Sequence, residues 1–370
     1  MKKITFLLLH LGLGGIETSI VNTANCLCND LEVELVSFYK FPNNHKIDPK
    51  VKVKYLYDGV PNRDEFMHAL KHFNIVGIFK EGIKATKILH LRKKLIIDEI
   101  KNSNSDYIVS TRIEFSTLLD KYGKKETVKI VQEHIHHNWN KALIKKLSSF
   151  KNIDYLFSLT QSLKEDYDKF LSWNKHIKIC VVPNMIDMQE ASSDLKSKNI
   201  ITISRLTTIK RVNELIDIFS KLDNKKNKLY VIGAGPEAEN LKKQVNEMGL
   251  ADRVILTGYK TKEEMIPYMM DSSVFALTST REGLPMVLLE AMSYGIPCIA
   301  YKTESGIIDI IDNDINGYYI ENRDEALYID TLNKMLKDSK KLQKLGVGAK
   351  EKAKKFSKEE VRKIWLNILK

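Results

Sequence analysis

The sequence predicts an α/β chain of two doubly wound parallel-sheet domains, and three observations carry that prediction. Short β-branched runs alternate with helical patterns along the chain, the rhythm of parallel strands joined by crossover helices. Glycine turns stand where such runs give way to helices, at Gly12, Gly14 and Gly15 and again at Gly233 and Gly235. The length of 370 residues allows two domains, at roughly 100–200 residues each. The boundaries fall at 1–183 and 184–352, with 353–370 a terminal helix (Val361, Ile364, Trp365 and Ile368 at helical spacing) crossing back onto the first domain.

The elements of the first half follow in order. Lys3 to Leu9 reads as a buried first strand, and Ile20, Val21, Ala24 and Leu27 as the inner face of the helix after it. Met1-Lys-Lys before an apolar run also fits a secretory signal. Against that, His10 interrupts the run, no small-x-small cleavage site follows, and a glycine turn leads directly into the helix. From Phe79 to Ile97, Lys80, Lys84, Lys87, Arg92, Lys93 and Lys94 alternate with Ile83, Ile88, Leu89, Leu91, Leu95 and Ile96. Two readings stay open there: a helix lying on an anionic membrane, or a core-packed helix with a solvated face. The apolar run Lys129 to Val131 leads to His134, which shares a strand face with His136. A metal site there needs a third ligand, and none stands at a recognisable spacing. Asp166 with Asp168 and Asp312 with Asp314 superficially resemble acidic metal motifs, but their helical and turn contexts read as solvated.

The second half holds the chemistry. A strand from Ile200 ends at Ser204, followed by Arg205 and Lys210 and then a helix with Val212, Leu215, Ile216, Phe219 and Leu222 inward. Cations at the carboxyl mouth of a parallel strand stand where open α/β sheets bind ligands. Arginine bridges two phosphate oxygens, and lysine adds a compact charge. Gly233, Gly235 and Ala238 match a strand–Gly-x-Gly-x-x-Ala–helix turn, but the next strand, Arg253 to Tyr259, ends without the acid that would hold an adenosine ribose. A tight turn beside a nucleotide fits better than a nicotinamide site. After the strand Val274 to Leu277 come Glu282 in a turn, Pro285 suited to a first helical position, and Glu290 further in, before Gly295 and Pro297 stop the helix. The free amides at Pro285–Val287 offer a seat for phosphate. Glu290, set in apolar surroundings, is placed to take hydroxyl groups. Bare amides for phosphate and two separated carboxylates for hydroxyls suit a nucleotide sugar.

In this order the motifs resemble family 4 retaining glycosyltransferases, whose fold is GT-B: two Rossmann-like domains facing across a cleft. Arg205 with Lys210, the Gly233 turn, Glu282 and Glu290 carry the likeness, together with Val182 to Asp187 at the crossover and Asn316-Gly317 near the end of the donor domain. The resemblance implies that Glu282 contacts the donor sugar, Glu290 the nucleotide ribose, and Arg205 and Lys210 the diphosphate. Gly233, Gly283, Leu284, Met286 and Val287 complete the donor site, and Gly14 and Gly15 form the loop that approaches donor phosphate and acceptor. His134 then stands near the transferred sugar and, with Glu282, is the catalytic candidate. The implied activity is a hexosyl transfer without metal or other cofactor, from a UDP-sugar to a glycan or lipid-linked acceptor of the cell envelope. Leu284-Pro285, where many members carry an aromatic residue and glycine, departs from the pattern and leaves the donor sugar open.

Charge and composition bound the partners. Residues 1–185 hold 29 basic and 20 acidic residues and the remainder 30 and 27, for a net charge of +12. The basic stretch at 79–97 lacks aromatics interleaved for base stacking, which argues against nucleic acid. Four scattered cysteines fit a reducing cytosol, and no apolar run approaches the ~20 residues of a membrane span. A cytoplasmic enzyme, peripheral on the inner face of the membrane, is the expectation. The competing readings are a non-catalytic partner of a sister glycosyltransferase, a sugar phosphorylase and a nucleotide-sugar epimerase.

Overall fold

The computed structural model describes residues 1–12, 14–41, 45–61, 63–133, 141–303 and 305–370. Up to residue 182 the elements run β1 (Lys3–Leu8), α1 (Gly15–Leu27), β2 (Glu32–Tyr39), β3 (Lys52–Tyr57), α2 (Arg63–Lys71), α3 (Ile75–Asn102), β4 (Tyr107–Ser110), α4 (Ile113–Tyr122), β5 (Val128–Gln132), α5 (Lys141–Ser148), β6 (Tyr155–Ser158), α6 (Gln161–Phe170) and β7 (Lys178–Val181). Then follow β8 (Ile200–Ile203), α7 (Val212–Ser220), β9 (Leu229–Ile232), α8 (Ala238–Glu247), β10 (Val254–Gly258), α9 (Lys262–Met270), β11 (Val274–Leu277), α10 (Met286–Ser293), β12 (Cys298–Tyr301), α11 (Ile307–Ile310), β13 (Gly317–Ile320), α12 (Glu325–Lys337), α13 (Ser339–Lys354) and α14 (Lys358–Ile368).

The chain forms two compact units: Met1–Leu159 with Lys164–Val182, and Thr160–Leu163 with Pro183–Lys370. The sequence set 353–370 apart, whereas its contacts group α14 with the second unit. Among the described residues each unit has one parallel sheet, ordered β3-β2-β1-β4-β5-β6-β7 in the first and β10-β9-β8-β11-β12-β13 in the second. Strands β8, β11 and β12 are buried along their full length, as expected of parallel strands covered on both faces. The inward stripe of α7 is buried at each position the spacing predicts, Val212, Leu215, Ile216 and Phe219.

Two helices differ in detail from the sequence reading. α10 begins at Met286 rather than Pro285, whose ψ of 89° leaves it as the cap residue. Its far end is closed as expected. Gly295 takes a left-handed φ of 72°, and its N–H bonds Met292 O at 2.9 Å, while Ile296 N–H bonds Ala291 O at 3.2 Å. α3 runs well beyond the 79–97 stretch at both ends. Its second half is an ordinary core helix, with Ile96 and Ile100 buried, while Ile88 packs with Phe38 and Tyr39. The part before Ile88 has no buried residue among those described, and Phe79 and Ile83 stay exposed there.

Candidate functional site

The order of the second sheet reverses direction between β8 and β11, the place where open parallel sheets take ligands. Lys210 closes a 3₁₀ turn, Thr208–Lys210, after β8, and Glu282 lies beyond β11. The two meet there, Lys210 Nζ donating to Glu282 Oε1 at 2.7 Å, with side chains 24% and 9% exposed. Backbone bonds hold their loops together. Thr280 N–H donates to Ile209 O at 2.9 Å, and Thr278 Oγ1 to Arg211 O at 2.8 Å. An ion pair this withdrawn from water fixes geometry more than it adds stability.

The turn after β9 is laced to the same loop. Leu206 N–H bonds Ala234 O at 2.9 Å, and Glu237 N–H bonds Leu206 O at 3.1 Å. This approach explains the glycines. Gly233 has a φ of 142°, and a Cβ there would fall 1.9 Å from Ser204 O. Arg205 is exposed just past β8 and has no hydrogen-bond or ion-pair partner among the described residues. Two hydroxyls at the same strand ends, Ser204 Oγ and Ser279 Oγ, are buried without a partner among the described residues. Such groups cost about 1–3 kcal/mol unless something meets them.

The start of α10 has no side-chain cap and no acid in its first turn, so its first amides and the positive end of the helix dipole remain uncompensated by side chains. Met286 and Val287 lie there, half-buried, beside buried Leu284. The Glu282–Gly283 peptide is braced from behind. Ser305 Oγ donates to Glu282 O at 3.3 Å, and Gly283 O sits where a Cβ on Gly306 would fall 2.1 Å away. Gly306 has a φ of 80°, so only glycine suits it.

Glu290 sits just over a turn into α10. The residue is half-buried, and the protein packed around its carboxyl pushes its pKa above the ordinary range; Lys262 opposes that rise and Asp187 adds to it. No side chain among the described residues hydrogen-bonds the Glu290 carboxyl.

Arg323 escaped the sequence reading. Its guanidinium donates to Ser279 O at 3.1 Å and Thr278 O at 2.9 Å, pairs with Glu214, and stacks on Tyr301 at 4.3 Å. It clamps the loop that delivers Glu282. Its signal is only three-dimensional, since Arg323 and Glu214 stand 109 residues apart.

In the first unit the sheet reverses between β1 and β4. Gly14 is the cap residue of α1 and Gly15 its first residue, again without a side-chain cap. A Cβ on Gly15 would meet nothing within 4 Å, so packing does not demand that glycine. His10 Nδ1 lies 3.5 Å from Glu17 Oε1 beside the loop. His134 and His136 lie outside the described residues. Among the described residues no three His, Cys, Asp or Glu side chains group as metal ligands. The acidic pairs make surface ion pairs, with Asp312, Asp314 and Asp168 well exposed: Asp312 with Lys352 at 3.0 Å, Asp314 with Lys341 at 3.0 Å, Asp168 with Lys164 at 2.5 Å and Asp166 with Lys169 at 3.7 Å.

Residues 185–352 match the family model described as Glycosyl transferases group 1. The chain is 26% identical, over 380 aligned residues covering 100% of it and 98% of the relative, to a Campylobacter jejuni protein. That protein is the GalNAc-alpha-(1->4)-GalNAc-alpha-(1->3)-diNAcBac-PP-undecaprenol alpha-1,4-N-acetyl-D-galactosaminyltransferase. Among solved structures it is similar to the apo form of the lipopolysaccharide outer core galactosyltransferase WaaB (TM-score 0.75, 22% identity, 100% of this chain and 99% of that one). It is also similar to a mutant of Staphylococcus aureus TarM in complex with fondaparinux, alpha-GlcNAc-glycerol and UDP (TM-score 0.76, 17% identity, 100% and 99%). These likenesses give the fold, two Rossmann-like units of GT-B type.

Proposed function

We propose that this chain, whose residues 185–352 match the model of glycosyl transferases group 1, is a glycosyltransferase that moves a sugar, with retention and without a metal, from a UDP-sugar to a glycan or lipid-linked acceptor in cell-surface polysaccharide synthesis. The observation that carries the site reading is the meeting of Lys210 and Glu282 at the switch point, beside the uncapped start of α10. UDP in the TarM complex and the undecaprenol-linked substrate in the Campylobacter enzyme's name support the donor and acceptor classes.

In this reading Lys210, Arg205 and the first amides of α10 take the charge of the departing diphosphate, an electrostatic contribution that grows as water is excluded. Glu282 binds donor-sugar hydroxyls, and Lys210 orients it. Glu290, set just inside α10 with its carboxyl oxygens free of side-chain partners among the described residues, accepts hydrogen bonds from ribose hydroxyls. Gly14, Gly15 and His134 serve the sugar and acceptor, as the family resemblance implies. No helix of the described residues is long and apolar enough to cross a membrane, and the enzyme works peripherally at the cytoplasmic face.

The test is thermal stabilisation by UDP-, GDP- and ADP-sugars, with and without a chelator, in wild type and Lys210→Ala. A ligand that binds only the folded state raises the melting point by mass action. UDP-sugars are expected to do so in chelator, and Lys210→Ala to lose the response to diphosphates while keeping that to uridine. Stabilisation only with divalent metal overturns metal independence. No response to any nucleotide sugar removes the donor assignment and favours a non-catalytic partner role.

A further inference from the structure

The first unit carries a surface that the donor site leaves unexplained. α2 and α3 form a helical hairpin, and its tip is apolar and exposed. Phe73 is 87% exposed, Val76 78% and Phe79 69%, with Ile75 and Ile83 exposed beside them. Contiguous exposed apolar side chains of this size mark an interaction surface rather than ordinary surface scatter. An open groove of about 690 Å³ runs alongside, lined by Phe66, Ile78, Phe79, Ile83 and His90.

The backbone holds this tip firmly. α2 ends with Phe73 N–H on Leu70 O at 3.2 Å and Asn74 N–H on Ala69 O at 3.0 Å. In that closure the residue in Phe73's place is left-handed and usually glycine, and Phe73 has a φ of 50°. A phenylalanine there is strained and buries almost nothing in the fold, so folding gives no reason for it. Asn74 Oδ1 then accepts from Gly77 N–H at 3.0 Å and starts α3. The tip is thus presented on two capped helices.

Charge selects the occupant. From Phe66 to Lys94 the cations are Lys71, Lys80, Lys84, Lys87, Arg92, Lys93 and Lys94, and the single acid is Glu81. Cores of protein–protein interfaces are depleted in lysine. Apolar side chains ringed by lysine instead fit the boundary between anionic headgroups and acyl chains. We infer that the α2–α3 tip inserts Phe73, Val76 and Phe79 into an anionic bilayer, with Lys80, Lys84 and Lys87 on the headgroups. This deepens the peripheral-contact part of the proposed function and moves the contact from the 79–97 stretch to 73–87.

The full-length protein is mixed with vesicles of phosphatidylcholine alone, or with phosphatidylglycerol at about a third of the lipid, and bound protein is measured by flotation at low and high salt. Wild type should partition about ten-fold better onto the anionic vesicles, and high salt should leave a residue, because salt screens the lysines but not the inserted side chains. Val76→Ser with Phe79→Ser should lose about ten-fold of that binding. Phe73→Gly separates docking from folding: its binding should fall while its melting point does not, since glycine relieves the backbone. No partition of wild type, or partition unchanged in both variants, overturns the inference. So does a wild-type dimer in sedimentation velocity that the double variant abolishes without any vesicle binding. Stabilisation by UDP-sugar, measured without vesicles, is read separately, so failure of docking and failure of the transferase reading are distinguishable.

Discussion

α9 and α10 follow successive strands of the same sheet, β10 at its edge and β11 at the switch point, yet their first turns are opposites. α9 opens with a complete capping box: Thr261 Oγ1 accepts from Glu264 N–H at 3.3 Å, and Glu264 Oε2 accepts from Thr261 N–H at 2.8 Å. Glu263 and Glu264 also place two acids at its positive end. α10 opens on Pro285 with neither cap nor acid. A helix that only needs to be stable satisfies its first amides and its dipole from its own side chains. The one at the switch point satisfies neither in this way, and Lys210, from another loop, is ion-paired to Glu282 just before it.

The sharpest way to break the contrast is to remove what surrounds the open turn. Glu282→Ala should lower transfer by about 10² or more if Glu282 is a positioned contact to the sugar. The melting point should change little, because Lys210 keeps access to water. Steady-state transfer at saturating donor reads this, and near-wild-type turnover would take Glu282 out of the site. A smaller effect is expected from making α10 resemble α9. Val287→Glu adds an acid to its first turn, which favours the helix by about 0.3–1 kcal/mol but repels phosphate. Donor affinity should fall about ten-fold while the protein melts no lower. Unchanged affinity in titration calorimetry would show that the phosphate sits elsewhere.

Much of this contrast was legible in the sequence. Pro285 and Gly295 punctuate α10 because proline lacks the N–H and glycine tolerates the left-handed closure, and both constraints act within a few residues. The helix starts one residue later than proline's fixed φ suggests, since Pro285's ψ of 89° is not helical. What local chemistry could not give is which side chains meet. Lys210 and Glu282 were singled out separately and are 72 residues apart, and Arg323 carried no motif at all. The 79–97 stretch was ambiguous for a physical reason. Its periodicity is the same along α3, but only the part from Ile88 onward meets a core.

A subtler test lies deeper in α10. Burial raises the pKa of Glu290 above its unfolded value, which is about 4.3. A raised carboxyl contributes stability that is fully present below the unfolded pKa and is lost as pH rises through the folded one. At neutral pH its charge therefore weighs against folding. Glu290→Gln should melt higher than wild type at neutral pH, the gap closing as pH falls toward about 4, with a several-fold loss of nucleoside affinity. Parallel melting curves at every pH would mean that Glu290 does not titrate in this range.

The smallest effect on activity is expected on α9, and it is the control that gives the others meaning. Thr261→Ala removes the side chain that accepts from Glu264 N–H, and losing such a cap costs about 1 kcal/mol. The melting point should drop by a few degrees at most, about 2–4 °C per kcal/mol for a large domain. Donor affinity and turnover should stay as they are, because α9's first turn is already occupied by its own side chains. The two helices would then respond in opposite senses, with α9 losing stability and keeping function while α10 in Val287→Glu keeps stability and loses function. If Thr261→Ala weakened donor binding as much as Val287→Glu, the switch point would not be privileged, and the site would extend over both strand ends.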